Sequence, residues 1–190
     1  MVARHSRMLP LGTSAPEFHL PDPSGRLWSL EDVSDSRALL VAFLCNHCPY
    51  VQHILDRFVA FAHEYRPHGL AVIAINPNDS NAYPDDAPEH MARVAANKGF
   101  TFPYLIDVTQ GTARAYEAVC TPDFFLFDAA RHLVYRGRFD ASSPRNGIPV
   151  TGEELRTALD ALLAGRELEQ QHASIGCSIK WKPGNAPDWA

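Results

Sequence analysis

Apolar stretches without polar interruption, at residues 38–44 and 70–75, predict two central strands of this protein. Uninterrupted runs of this kind are typical of strands that are covered on both faces of a sheet. Between them, apolar side chains recur at three- and four-residue intervals, which predicts a helix with one buried face. The order strand, helix, strand indicates a β-α-β unit with parallel strands. The apolar helix positions are Val51, Ile54, Leu55, Phe58, Val59 and Ala62.

Shorter patterns predict the outer elements. Residues 17–20 alternate polar and apolar side chains, and residues 26–30 return after a turn cluster, which predicts an N-terminal β-hairpin. A second hairpin is predicted from an apolar strand at 123–127 and a partner strand at 133–138. Residues 1–16 lack either pattern and predict a loose lead-in.

A long polar segment, residues 76–88, follows the second central strand and shows no periodicity. Loops of this length are often functional, but a simple surface insertion explains the pattern equally well. Its acidic and amide oxygens could hold a cation, although their spacing matches no calcium loop. Asp86 stands three residues before Glu89, a spacing that predicts the cap of the following helix.

Two cysteines lie where the first central strand meets the helix, in the stretch Cys45-Asn46-His47-Cys48. The first backbone N–H groups of a helix and the positive end of its dipole stabilise an anion, and the anion that cysteine offers is a thiolate. His47 can be cationic or donate a hydrogen bond, which also favours the thiolate and a more oxidising pair. The alternative, less favoured, is that His47 is merely an exposed residue at a helix start.

The spacing of these cysteines is typical of a redox pair or of half a metal site. Zinc sites usually need a second ligand pair, whereas the remaining cysteines, Cys120 and Cys177, stand apart in the sequence. Two cysteines that only fill a core have no reason to lie together at a helix start. The pattern therefore favours redox chemistry without a metal. No bound cofactor is predicted, because Gly-rich phosphate loops are missing.

Composition is ordinary for a soluble globular protein. The chain has 190 residues, 46% hydrophobic and 21% charged, which suits one domain with a full core. A net charge of −5 with scattered basic residues argues against nucleic acid as a partner. No apolar run approaches a membrane span, and the start lacks the apolar region of a secretory signal. These features predict a cytoplasmic protein, in which such a cysteine pair cycles, although a processed precursor would share them.

Several motifs carry a resemblance to a known family. They are Gly12 to Leu20 with Gly25 and Leu30, Phe43 to Val51, and Thr121-Pro122-Asp123. Together with the order of elements, they resemble the thioredoxin-like fold, in particular the redoxin branch that thiol–disulfide oxidoreductases and peroxiredoxins share. The stretches 46–51, 120–125 and 176–182 are similar to a bacterial subgroup described as thioredoxin family proteins or thiol–disulfide isomerases.

The resemblance covers about residues 10–165. It implies an α/β protein with a central mixed β-sheet flanked by helices, an N-terminal β-hairpin and a C-terminal extension. It also implies a single domain over residues 1–190, in which residues 166–190 form a tail. The tail is too polar and too rich in Gly and Pro to predict a helix.

The same resemblance implies a thiol–disulfide oxidoreductase with antioxidant activity. Cys45 would be the exposed attacking thiolate and Cys48 the resolving thiol. The cis-proline of the family would fall on Pro122, and Thr121 would offer its backbone to a substrate as an added strand. The predicted catalytic residues are Cys45, Cys48, His47 and Pro122. The predicted substrate-binding residues are Thr121, Asn46 and Pro49.

Two other functions stay open at this point. Peroxiredoxins carry a threonine three positions before their catalytic cysteine, where this chain has Ala42 before Cys45, so a thiol peroxidase is less favoured. A metal-binding or metallochaperone module would use Cys45 and Cys48 with His47 or Cys120.

Cys120 and Cys177 suggest a second redox or structural pair, provided that the tail folds back over the domain. Two unrelated thiols explain the sequence equally well. The predicted partners are a disulfide-containing protein or small molecule and a thiol that donates electrons. Nucleic acid and membrane are not expected as partners.

Overall fold

The computed structural model describes residues 3–168 and 170–190. The strands are β1 (Ala3–His5), β2 (Leu20–Pro21), β3 (Leu27–Trp28), β4 (Ala38–Phe43), β5 (Leu70–Asn76), β6 (Tyr104–Ile106), β7 (Cys120–Thr121), β8 (Asp123–Phe127), β9 (Leu133–Gly137) and β10 (Ile175–Ser178). The helices are α1 (Pro49–Tyr65), α2 (Pro88–Lys98), α3 (Gly111–Ala115) and α4 (Glu153–Leu163). Within this described part of the chain, none of the helices combines the length and the apolar character that a membrane crossing requires.

Five strands form a mixed central sheet in the order β6-β5-β4-β8-β9. β4 and β5 run parallel and are joined through α1, which confirms the predicted β-α-β unit. β8 and β9 form the predicted antiparallel hairpin, and β8 pairs antiparallel with β4. β2 and β3 form the predicted N-terminal hairpin. The predicted thioredoxin-like fold, a mixed sheet flanked by helices, is therefore confirmed.

The apolar run of β4 is explained by burial on both faces of the sheet. Leu40 and Ala42 pack in the cluster that contains α1, whereas Leu39, Val41 and Phe43 pack in a second cluster on the opposite face. Successive side chains of a strand point to opposite faces, so a strand between two layers needs apolar residues at every position. The chain therefore leaves β4 inside the core, where Leu44 and Cys45 follow the strand and are both buried.

A second, three-stranded sheet joins the two ends of the chain in the order β1-β10-β7. All pairings in it are antiparallel. The prediction of a loose lead-in over residues 1–16 is wrong for β1, because the C-terminal segment folds back and offers β10 as a pairing partner. That pairing supplies the backbone hydrogen bonds that the lead-in alone cannot make.

Candidate active site

The two cysteines of the motif lie at the junction between β4 and α1. Helix α1 begins at Pro49, so Cys48 is its N-cap residue and Cys45 lies in the connection just after β4. Cys45 is 1% exposed and Cys48 is fully buried. The expectation of an exposed Cys45 is therefore wrong. The loop that carries Asp86 and the C-terminal strand β10 both contact this junction.

Thr121 contacts both sulfur atoms. Its Oγ1 lies 3.1 Å from Cys45 Sγ, and its carbonyl oxygen lies 3.1 Å from Cys48 Sγ, to which the thiol form of Cys48 can donate. The Thr121–Pro122 peptide bond is cis, as the family resemblance implies. β7, which ends at Thr121, therefore forms one wall of the site.

The two sulfurs share a hydrogen bond that shifts the pKa values of the two thiols in opposite directions. Accepting from the Cys45 thiol lowers the pKa of Cys48 to about 5; burial opposes this shift, and the Val51 N–H at the helix start supports it. The same bond raises the pKa of Cys45 well above its usual range, and burial and the Asp86 carboxylate act in the same direction. This hydrogen bond therefore favours a thiolate on Cys48 over one on Cys45.

Asp86 reaches the site from the polar loop and holds the motif in place. Its carboxylate accepts from the Asn46 backbone N–H at 2.7 Å, from the Asn78 side chain at 2.9 Å and lies 2.7 Å from His47 Nδ1. Burial opposes ionisation, but these hydrogen bonds outweigh it and lower the pKa of Asp86. The bond to Asp86 in turn raises the pKa of His47. A histidine–carboxylate pair thus lies beside the thiols.

The role predicted for Asp86 is wrong: the N-cap of α2 is Ala87, and the Asp86 side chain points to the motif instead. Tyr83, from the same loop, stacks on the His47 ring with a centroid distance of 5.1 Å. Residues of the 76–88 segment therefore pack against the motif, which a simple surface insertion does not explain. The sequence did not predict that Asp86 and Tyr83 would contact the motif. A signal was available, because β4 and β5 are parallel neighbours, so the segments that follow them lie at the same edge of the sheet.

Asn46 and Pro49 differ in their availability to a substrate. Asn46 is engaged within the protein, since its Nδ2 donates to the Asp85 carbonyl at 2.7 Å and its Oδ1 accepts from the Tyr104 hydroxyl at 3.2 Å. Pro49 is exposed at the first position of α1. Asn46 therefore links the motif to the Asp85 loop, and Pro49 lies on the surface at the start of α1.

Comparison with known proteins identifies the family. The model of the AhpC/TSA family matches residues 11–136. The chain belongs to the AhpC/TSA family. No match was found among curated proteins.

Two solved structures resemble this AhpC/TSA chain over nearly its whole length. An uncharacterized conserved protein from Geobacillus kaustophilus is 53% identical, with a TM-score of 0.94 over 97% of this chain and 98% of that one. A hypothetical protein from Sinorhizobium meliloti is 49% identical, with a TM-score of 0.93 over 95% of this chain and 99% of that one. A thiol-disulfide oxidoreductase from Bacteroides fragilis shares the fold, with 20% identity and a TM-score of 0.60 over 79% of this chain and 99% of that one.

The other two cysteines of this AhpC/TSA protein lie close to the motif in different ways. Cys177 pairs with Thr121 across the β10–β7 ladder, whereas Cys120 pairs with Ser178. Neighbouring strand residues point to opposite faces, so Cys120 and Cys177 do not face each other. No disulfide joins any of the four cysteines, all of which are described, and the predicted Cys120–Cys177 pair is not made. Cys177 instead hydrogen-bonds to Cys48.

A set of possible metal-binding atoms also occurs in the site. Atoms of Cys45, His47 and Asp86 lie within 4.8 Å of one another. Thiolate, imidazole and carboxylate are all zinc ligands. His47 and Asp86 already bond to each other, and Cys45 contacts Thr121, so metal binding would have to replace existing hydrogen bonds.

Proposed function

We propose that this AhpC/TSA protein is a thiol–disulfide oxidoreductase that exchanges electrons through Cys45 and Cys48. The observation that carries the proposal is the hydrogen-bonded sulfur pair at the start of α1, where both sulfurs also contact Thr121. A stabilised thiolate beside a second thiol is the arrangement that disulfide exchange requires. The dithiol itself stores the two electrons, so the reaction needs no bound cofactor.

The protonation of the pair supports Cys48 as the attacking group, and because Cys48 is fully buried the attack requires that the surrounding segments first move apart. Its thiolate attacks one sulfur of a substrate disulfide, forming a mixed disulfide and releasing the other substrate sulfur as a thiolate. Cys45 then loses its proton and attacks Cys48, which breaks the mixed disulfide and forms the Cys45–Cys48 disulfide. The substrate leaves as two thiols. This order reverses the roles that the sequence predicts, because Cys48 rather than Cys45 caps the helix.

The His47–Asp86 pair has a function in the second step. Cys45 must release a proton before it can attack, and atoms of His47 and Asp86 lie within 4.8 Å of its sulfur. The hydrogen bond to Asp86 raises the pKa of His47 and so makes its imidazole a stronger proton acceptor. We propose that this pair takes up the Cys45 proton. The partners proposed are a disulfide substrate and a reducing thiol.

The reduction potential of the pair tests this function. Equilibration in defined thiol/disulfide buffers, followed by alkylation and mass spectrometry of the Cys45–Cys48 cross-linked peptide, should show a two-electron transition of that disulfide, which Cys45→Ser abolishes and Cys120→Ser preserves. Because a low thiol pKa stabilises the reduced form, we expect a potential more oxidising than the −270 mV or so of thioredoxin. If no Cys45–Cys48 disulfide forms at any potential, the proposal is wrong.

A thiol peroxidase is the second candidate, favoured by the match to the AhpC/TSA family. In that reaction the Cys48 thiolate would attack a peroxide and become a sulfenic acid, which Cys45 would resolve. With Cys48 as the nucleophile, Cys45 occupies the position three residues earlier where the resemblance expects a threonine hydroxyl. Peroxide consumption supported by dithiothreitol, faster than exchange with a peptide disulfide, would favour this candidate.

A metal-binding module is the third candidate and rests on the set of ligand atoms at Cys45, His47 and Asp86. Elemental analysis of the purified protein and zinc titration after reduction would test it. Stoichiometric zinc that protects Cys45 from alkylation, and that Asp86→Asn releases, would favour metal binding over redox exchange.

A further inference from the structure

The C-terminal strand β10 occupies the edge of β7 beside the thiols. Its pairing with β7 places Cys177 opposite Thr121 and Ser178 opposite Cys120. An extended peptide that adds a strand to an exposed sheet edge gains the same backbone hydrogen bonds. β10 therefore fills the position that a substrate strand needs in the proposed exchange reaction.

Gly176 shows how closely this strand approaches the site. A Cβ atom at residue 176 would lie 2.6 Å from the Thr121 carbonyl carbon and 3.0 Å from the Pro122 nitrogen. Both neighbours are backbone atoms, which cannot turn away as a flexible side chain can. The glycine thus permits a contact that other residues would prevent.

Cys177 follows this glycine and lies in the same buried cluster as Cys45 and Cys48. Directly paired strand residues place their side chains on the same face, and Thr121, its partner, contacts both motif sulfurs. Cys177 also hydrogen-bonds to Cys48 through its thiol and through its backbone N–H. Cys48 therefore has a thiol neighbour in Cys45 and another in Cys177.

The segment after β10 is tied to the body of the protein, which keeps Cys177 in position. The Lys180 N–H donates to Asn78 Oδ1 at 2.9 Å. Gln110 Nε2 donates to the Lys180 carbonyl at 2.9 Å, and the Lys182 N–H donates to Gln110 Oε1 at 2.8 Å. Gln110 is fully buried. Because these hydrogen bonds hold the backbone just after β10 in place, little conformational entropy is lost when the Cys177 thiol meets Cys48.

We propose that Cys177 is a third redox-active thiol of this site, which forms a disulfide with Cys48 in exchange with the Cys45–Cys48 disulfide. The inference rests on the proposed function, since the oxidised Cys45–Cys48 pair is its starting state. It differs from the predicted Cys120–Cys177 pair because it assigns Cys177 to the motif itself.

The exchange step conserves atoms and electrons. Cys177 loses its proton, and its sulfur attacks Cys48 Sγ in the Cys45–Cys48 disulfide. The Cys48–Cys177 bond forms, the Cys45–Cys48 bond breaks, and the electron pair leaves on Cys45, which takes up a proton. One disulfide replaces another, so no external oxidant or reductant is needed. The product fastens β10 to the Thr121 edge.

Disulfide mapping of the full chain tests this proposal. The reduced protein is oxidised with diamide, quenched in acid, alkylated and digested without reduction, and the cross-linked peptides are quantified. We expect both Cys45–Cys48 and Cys48–Cys177 peptides in the wild type. Cys45→Ser should accumulate the Cys48–Cys177 peptide, and Cys177→Ser should lose it while keeping Cys45–Cys48. Cys120→Ser is the matched control, because that buried thiol faces away and its removal should leave both peptides.

The outcomes separate this inference from the proposed function. If the wild type forms Cys45–Cys48 while Cys177 is alkylated completely in both the wild type and Cys45→Ser, the inference is overturned and the oxidoreductase stands. If no cross-link forms among the three cysteines, both are overturned.

A second variant tests the placement of the strand without removing a thiol. Gly176→Ala should push β10 away from Thr121, so the Cys48–Cys177 peptide should be lost and Cys48 in the reduced protein should be alkylated faster. Ser178→Ala, in the same strand, should leave both measurements at wild-type values. Equal yields of the Cys48–Cys177 peptide in folded Gly176→Ala and wild type would contradict the proposed route.

Discussion

Asp86 and His47 determine the electrostatics around the thiols. Asp86 is buried and accepts hydrogen bonds from three groups, so it stays ionised where an isolated carboxyl would not. His47 lies against it and gains a higher pKa. Its Nε2 has no hydrogen-bond partner among the residues that the structure describes. The sequence placed His47 in the motif but gave no signal that a carboxylate from a distant loop would bind it.

Asp86→Asn should lower the pKa of His47, because the amide cannot stabilise the imidazolium as a carboxylate does. Since the folded-state pKa is raised, protonation of His47 contributes stability that is full below its unfolded value of about 6.5 and is lost as the pH rises through the folded value. NMR titration of the imidazole protons, with His47→Gln for assignment, measures the shift.

The same substitution should also lower the free energy of unfolding by about 1–3 kcal/mol, because buried hydrogen bonds are lost. Asp85→Asn is the matched control, since Asp85 is exposed and its side chain should matter little. An unchanged His47 titration in Asp86→Asn would mean that the ion pair does not form in solution.

Helix α4 illustrates what sets the bounds of a single element. Gly152 precedes its first turn with a φ of +69°, and a Cβ there would overlap the Phe139 ring, whose Cε2 atom would lie only 2.8 Å away. Gly165 follows the last turn with a φ of +66° and has open space around its Cα. The apolar spacing of Leu155 and Leu159 predicts the helix, whereas the contact with Phe139 exists only in the packed fold.

Replacing each glycine with alanine separates backbone strain from steric overlap. Gly165→Ala should lower the free energy of unfolding by about 1–2 kcal/mol, since both sites need a left-handed conformation. Gly152→Ala should cost about 1–3 kcal/mol more, because the new methyl group overlaps the buried ring. Urea denaturation measures both. Equal losses would show that Phe139 moves aside without cost.

At the scale of the whole molecule, the two layers over the central sheet and the terminal sheet together exclude water from the sulfur atoms. Burial of an anion is unfavourable unless donors compensate for the lost water. Cys48 receives such donors from Cys45, from the helix start and from Cys177. The whole fold, rather than the motif alone, therefore maintains the thiolate.

The stability of the reduced protein should consequently depend on pH through Cys48. The pKa of this thiol falls to about 5 on folding, so its contribution is present above the unfolded value of about 8.5 and is lost as the pH falls towards 5. The difference in unfolding free energy between wild type and Cys48→Ser should rise between about pH 6 and about pH 8, by at most about 1.4 kcal/mol per pH unit. Urea denaturation with a reductant measures it, and a difference that does not change with pH would contradict a stabilised thiolate.

Local patterns were enough to predict the central elements and to place the candidate redox pair between them. The unbroken apolar run of β4 and the helical spacing of α1 follow from burial, and two cysteines at their junction predict a redox pair. These features depend on neighbours in sequence, so the sequence by itself determined them.

Tertiary structure alone decided what surrounds the two thiols and which of them its hydrogen bonds favour as a thiolate. The approach of Asp86 to His47 and of Cys177 to Cys48 joins residues that are far apart in the chain. β-strand pairing and loop closure bring them together, and the energy of a charge depends on every donor within a few ångströms. Spacing along a chain does not encode those distances, because they exist only after the layers have packed.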